Sequence, residues 1–326
     1  MNILHLGGFR PVVQTIASGQ AARGHRVQAA LLSSRSGIFQ LQIGDIGPLK
    51  DYIDAGFYDV IHVHSLHLIR RTEPGDLLKE LLISSAQKGV AIFYSIYRED
   101  CMLLQDSLSA LNEINTYGKL MLLPSSSDYY LSPLEDIRTS FMPVPIDLSA
   151  VGPARGFEPE SHSLSVLHIP IYVSSKDTET IDLVCKRLQE RGRKFNFNII
   201  NPSDITNLAE FRKFIREADL VIESLSYAGF GIVAVEAMAH GKTVISGNDV
   251  KLRHAFGPLA LCPVIDSTKG DFEEMLDSII REPKCLRDLG TRSRTYIDSY
   301  HDAELVVADT LSLYNSYTSP SPVRAG

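Results

Sequence analysis

No apolar run in this 326-residue sequence approaches the roughly 18 residues of a membrane-spanning helix. No basic amphipathic stretch commits the chain to a lipid surface either, so at most peripheral membrane contact is expected. Positive charge is not in excess: 32 Lys and Arg stand against 39 Asp and Glu, a formal net charge of −7. That balance argues against a nucleic-acid partner. Cysteine is sparse, and Cys101, Cys185, Cys262 and Cys285 form no close pair. This favours reduced, structural thiols in a cytoplasmic protein over disulfides or a zinc site. The dinucleotide fingerprint G-x-G-x-x-G is also missing, which weakens a nicotinamide-cofactor reading. The first residues, Ile3-Leu4-His5-Leu6, already read as a strand, so no signal peptide is expected. Tryptophan is absent, and its absence decides nothing.

The stretch from Ala218 to Ser246, ADLVIESLSYAGFGIVAVEAMAHGKTVIS, is the most informative one present. Leu220-Val221-Ile222 fits a buried parallel strand. A loop with Gly229 and Gly231 follows, and then Ile232 to His240 reads as a helix rich in Ala, Val, Glu and Met. Gly241 fits a helix-ending C′ position, and Thr243-Val244-Ile245 begins the next strand. Such a unit suits an anion: the first helical amides lack intrahelical acceptors, the dipole is positive there, and glycines let a phosphate approach the backbone. Glu236, about a turn and a half into the helix, can accept two hydrogen bonds from a ribose diol. The same residues also read as a tight turn needing glycine, with a surface glutamate behind it.

The rest of the chain repeats a β-α-β rhythm. Asn2 to Leu6, the turn Gly7-Gly8, a helix through Ala22 and a strand from Val27 form an opening βαβ unit. Asp59 to Ser65 is a strand whose alternation puts His62 and His64 on one face. The H-x-H spacing raises the question of a metal, but no third ligand is evident nearby in sequence. Ala91–Tyr97 and Leu120–Leu123 are further buried strands. Prolines enforce an extended path through Phe141–Leu148, and the Gly-, Pro-, Glu- and Ser-rich residues 152–163 read as an interdomain linker. The boundary is therefore expected near Ala150. Leu164–Pro170 opens a second domain, Lys176-Asp177-Thr178 precedes a helix, and Ala303 to Tyr317 is the final helix.

The segment GFGIVAVEAMAHGKTVIS resembles the donor-site motif of retaining glycosyltransferases of family 4, roughly E-G-F-G-x-x-x-x-E-A-M-A-x-G-x-P-V-I. Gly229, Phe230, Gly231, Glu236, Ala237, Met238, Ala239, Gly241, Val244 and Ile245 match. The resemblance extends to Gly7-Gly8, to Ala22-Arg23-Gly24-His25-Arg26-Val27, to the second histidine of D-V-x-H-x-H at His64, to Phe141–Leu148, and to Lys176 as the lysine of a K-G-x motif. It implies an α/β chain of GT-B fold, with two Rossmann-like domains facing a central cleft. Residues 1–150 would form the acceptor-side domain, joined by the C-terminal helix 303–318, and residues 151–302 the nucleotide-sugar domain. It implies a hexosyltransferase acting with retention of configuration and without metal or other cofactor. A nucleoside diphosphate sugar would be the co-substrate, and the acceptor a glycan, a lipid-linked sugar or a small metabolite. His64 and Lys176 would be the catalytic groups, in orienting and electrostatic roles, with Gly7, Gly8, Gly229, Phe230, Gly231 and Glu236 binding the donor.

The sequence departs from the family pattern at three places. Ala228 stands where the family has its first glutamate. Asp177 replaces the glycine after the lysine. The family's arginine would fall at Pro170 or Val173, and neither is basic; Arg10, Lys251 and Arg253 are possible substitutes. These departures support an alternative from another class, a catalytically impaired GT-B protein serving as partner or scaffold for an active transferase. A sugar-nucleotide epimerase shares the fold, but the family 4-like motif argues against it.

Overall fold

The computed structural model describes residues 1–7, 10–30, 43–65, 73–97, 104–125, 136–154, 157–158, 163–170, 177–226, 230–247 and 261–318. The chain divides into two compact units. The first comprises Met1–Pro145 with Ala303–Gly326, and the second Ile146–Asp302.

In the first unit, β1 (Asn2–Leu6), β2 (Arg26–Ala30), β3 (Val60–His64), β4 (Ala91–Ile96) and β5 (Leu120–Pro124) form one parallel sheet of order β2-β1-β3-β4-β5. Helices α1 (Arg10–Ala22), α2 (Ile43–Asp54), α3 (Glu73–Gln87) and α4 (Leu104–Asn115) supply the crossovers, as parallel pairing requires. The central strands β3, β4 and β5 are buried at every residue, which is why they read as near-continuous apolar runs. Leu4, Leu6, Ile61, Val63, Ile92 and Tyr94 sit in the core beneath α2, α3 and α4. The last helix of the chain, Ala303–Thr318, belongs to this unit and lies against α1. Gly19 makes that approach possible, because a Cβ there would meet Val307 Cγ2 at 2.7 Å.

The second unit repeats the topology. Strands β6 (Ser165–His168), β7 (Asn196–Ile199), β8 (Leu220–Ser224), β9 (Thr243–Ser246) and β10 (Ile265–Asp266) are parallel in the order β10-β9-β8-β6-β7. The chain enters this unit at Ile146, whose amide donates to His301 O at 2.7 Å. The short helix α5 (Leu148–Val151) follows at once, capped by the Asp147 carboxylate. Arg294 then donates to Gly152 O and Arg287 to Phe157 O, so described parts of the stretch read as a linker are tied into this unit. Its helices are α6 (Thr178–Glu190), α7 (Leu208–Glu217), α8 (Ile232–Ala239), α9 (Phe272–Arg281) and α10 (Cys285–Tyr300); the chain's last helix is α11. All of α8 after its first residue is buried. Gly290 lets α10 approach the end of α8, since a Cβ there would lie 2.2 Å from Gly241 O. No described helix is long and apolar enough to cross a membrane.

Candidate functional site

Both sheets have the doubly wound strand order, in which ligands bind beyond the carboxyl ends of the strands where the order reverses. The reversal lies between β1 and β3 in the first unit and between β6 and β8 in the second. Each reversal gathers polar side chains that an apolar sheet would otherwise exclude.

At the first reversal, parallel pairing sets His5 of β1 in register with His62 of β3. His64 stacks on His62 with ring centroids 3.9 Å apart, as the shared strand face requires. All three imidazoles are fully buried. His5 is the third imidazole that sequence spacing did not reveal. Gln20 Oε1 can only accept, so His5 Nε2 donates to it at 2.8 Å. In the neutral ring His5 Nδ1 must then accept, and His64 Nε2 donates to it at 2.9 Å. His64 Nδ1 in turn accepts from the Tyr97 hydroxyl at 3.2 Å. His62 is held between Ser95 Oγ at 2.7 Å and the Tyr314 hydroxyl of α11. Burial lowers the His5 pKa to about 4, and the Gln20 bond offsets only part of that. Burial, reinforced by the neighbouring rings, holds His62 and His64 well below the ordinary histidine value. The three rings are therefore neutral near pH 7.

One nitrogen from each of these histidines lies within 4.8 Å of the others, so the cluster is the candidate metal centre among the described residues. Its geometry fits an ion poorly. His62 and His64 are stacked with only 26° between their planes, so their in-plane lone pairs lie in two nearly parallel, offset planes, a poor match to ligands converging on one tetrahedral centre. The nitrogens also already carry hydrogen bonds to Gln20, Tyr97, Ser95 and Tyr314. The cluster is a hydrogen-bonded stack that fixes the tautomer and plane of His64. Ser65, next in sequence, sits at φ 112, a strained conformation for a residue with a side chain. Gly7 closes β1 at φ 68 and donates its amide to Ala30 O at 3.0 Å.

At the second reversal, His168 at the end of β6 donates from Nδ1 to Ile222 O at 2.8 Å and accepts at Nε2 from the Thr178 hydroxyl at 3.0 Å. Strand β8 carries an irregularity between Ile222 and Ser224, and bulges of this kind re-aim a side chain. Glu223 sits there, fully buried, and its Oε2 accepts the amide of Ala234 at 2.7 Å. The chain's own carboxylate thus meets the first turn of α8, the end that favours anions. Phe230 packs into the core beside Tyr296 and His301, which anchors the backbone leading to Gly231, the N-cap of α8.

Glu236 is buried, and both its oxygens are engaged. Arg212 of α7 donates from Nε and a terminal nitrogen at 3.0 Å each. This bidentate pair fixes the carboxylate plane. Each oxygen has a second lone-pair direction beyond the one the guanidinium uses, so the pair does not exhaust its capacity to accept. Asp177, at the start of α6, accepts from the Leu225 amide at 3.1 Å, the Ser226 hydroxyl at 2.6 Å and Lys269 Nζ at 2.7 Å.

Of the residues singled out from sequence, His64 and Gly7 lie at the first reversal, and Phe230, Gly231 and Glu236 follow β8 at the second. Gly8, Lys176 and Gly229 lie outside the described residues, as do Val173, Ala228, Lys251 and Arg253. Sequence reasoning missed His5, Gln20, Arg212, Glu223 and Lys269. The first could have been found by pairing β1 with β3 in a doubly wound sheet. The others had no local signal.

Residues 186–296 match the family described as Glycosyl transferases group 1. No curated protein sequence matches the chain. Among solved structures, the chain is similar to the sucrose-phosphate synthase of Thermosynechococcus elongatus, with 14% identity over 97% of this chain and 99% of that one, at a TM-score of 0.67. It is also similar to HepE of Anabaena in complex with UDP and glucose, with 11% identity, 97% and 100% coverage and a TM-score of 0.62. An alpha-glucosyltransferase in complex with UDP-glucose and DNA aligns at 10% identity, 97% and 99% coverage and a TM-score of 0.61. The fold is that of the GT-B glycosyltransferases.

Proposed function

We propose that this protein is a glycosyltransferase of the family 4 type that moves a sugar from a nucleoside diphosphate sugar to an acceptor with retention of configuration. The observation that carries this reading is the β8–glycine–α8 unit inside the 186–296 family match. That unit starts a helix after the carboxyl end of β8, the strand beside the switch point of the second sheet, and the same helix carries Glu236. In this reading the backbone around Gly229, Phe230 and Gly231 faces the phosphates, and Glu236, held in plane by Arg212, accepts the ribose hydroxyls. Lys176 and the α8 dipole stabilise the charge that grows on the leaving diphosphate. Catalysis then needs no metal and no other cofactor. HepE is similar in fold and holds UDP and glucose, which makes a uridine donor the first to test.

A second reading rests on specific residues. Ala228 removes a carboxylate, the arginine positions carry Pro170 and Val173, and Glu223 already bonds an α8 amide. These features fit a GT-B protein that binds nucleotide but turns over slowly, acting as partner to an active transferase. Incubation with UDP-, GDP- and ADP-sugars and a set of glycan, lipid-linked and small acceptors separates the two. Release of nucleoside diphosphate with an α-linked product from an α-linked donor, read by NMR, supports the retaining enzyme. A β-linked product contradicts retention, and nucleotide binding without turnover favours the partner reading.

A further inference from the structure

Asp177 occupies the left-handed region at φ 58, uncommon for residues with a Cβ, although Asp is among the side chains that visit it. It stands at the N-cap position of α6 but makes no capping bond. Its carboxylate instead turns toward two other loops. It accepts from Leu225 and Ser226 beyond β8, and from Lys269 in the loop between β10 and α9. Loops from the carboxyl ends of three strands thus meet on one side chain.

The two members of the Lys269–Asp177 pair differ in exposure. The Asp177 side chain is 7% exposed, whereas that of Lys269 is 53% exposed. The carboxylate is built in, while the lysine reaches solvent, and an ammonium has three donors. The loop that carries Lys269 is itself fixed. Asp271 accepts from the Thr268 amide at 2.6 Å, from the Thr268 hydroxyl at 2.8 Å and from the Ser267 hydroxyl at 3.2 Å. Lys269 is therefore a cation delivered by a rigid turn to the β6/β8 reversal, where this sheet architecture binds ligands. An ordinary surface ion pair would not require a buried carboxylate that also bonds a second loop.

On the reading of the second unit as a donor site, we infer that Lys269 is a diphosphate-binding residue and that Asp177 is the positioning residue that carries it there. Lys269 then supplies positive charge that Pro170 and Val173 do not. Its partnership with Asp177 is exchangeable: the ammonium keeps one N–H on the carboxylate and directs others to phosphate oxygens.

Calorimetric titration of the full chain with UDP, GDP and ADP, and with the matching nucleosides, tests this. Lys269→Ala and Lys269→Gln should each weaken the preferred diphosphate by about tenfold, as expected for one charge-assisted contact, and leave its nucleoside unchanged. Lys269→Arg should stay within about threefold of wild type, and the salt dependence of diphosphate binding should flatten in the Ala and Gln variants. Lys186→Ala, on an exposed face of α6, should change nothing. Wild-type diphosphate affinity in both Lys269 variants overturns the inference and leaves the donor site standing. Equal weakening of diphosphate and nucleoside also overturns it, because that pattern reports loop damage. A wild-type protein that binds no nucleotide overturns the donor-site reading together with the inference.

Discussion

Replacing Glu236 should destabilise the second unit as well as alter ligand binding. The Arg212 and Glu236 side chains are only 10% and 4% exposed, and two bonds of 3.0 Å join them. Glu236→Ala takes the paired carboxylate from a buried guanidinium, and breaking such a pair from one side costs about 3–5 kcal/mol. Domain stabilities are about 5–15 kcal/mol, so the loss is a large share of the total. For a unit of this size each kcal/mol moves the melting temperature by about 2–4 °C, which puts the expected drop at about 6–20 °C. Removing both charges in Arg212→Met with Glu236→Leu should recover most of it, because a buried pair replaced by apolar side chains of similar volume is often close to neutral. Calorimetric melts of wild type, Arg212→Met, Glu236→Leu and the double variant close the cycle, with Glu236→Ala measured beside them. A Glu236→Ala melt within 2 °C of wild type, or a double variant less stable than the single, would refute the argument. Ligand affinities of Glu236 variants are meaningful only below the melting range these measurements define.

Acid should loosen the first unit. Burial holds His5 down to about 4 and keeps His62 and His64 well below 6.5, so the unfolded chain binds protons near pH 6.5 that the folded unit does not. Their contribution to stability is whole above about pH 7 and is lost as pH falls from about 6.5 toward 4, by up to about 1.4 kcal/mol per pH unit for each ring. Urea midpoints and exchange protection of β1 and β3 at pH 7.5 and 5.5 check this, and equal values at both would contradict it. Gly290→Ala should lower the melting temperature by several degrees, because its Cβ would lie 2.2 Å from Gly241 O and overpacking costs about 1–3 kcal/mol; an unchanged melt would show that α10 shifts freely.

The parts of the site legible in sequence are those whose cause is local. The β8–glycine–α8–β9 unit is contiguous, so apolar runs, two glycines and helix-forming residues identify it without tertiary knowledge. His62 and His64 share a strand, and period-two alternation puts them on one face. His5 joins them only because β1 pairs with β3, a fact of strand order that one strand does not carry. Glu236 was legible as a carboxylate one turn and a half into a helix, but not as half of an ion pair. Arg212 lies 24 residues earlier, and only the packing of α7 on α8 turns it inward. The ties of Gly152 and Phe157, in the polar stretch read as linker, have no local signal for a similar reason: their carbonyls are held by Arg294 and Arg287, 142 and 130 residues later. The meeting of Asp177 with Lys269 depends on three loops at once, so neither residue signals it alone.

The most direct test of a nucleotide-sugar site in the second unit is amide hydrogen exchange of the full chain with and without saturating UDP, GDP or ADP. At least one diphosphate should slow exchange in the first turn of α8, from Ile232, and in the loops that follow β6 and β8. Protection confined to other segments, or none with any of the three, would contradict the account.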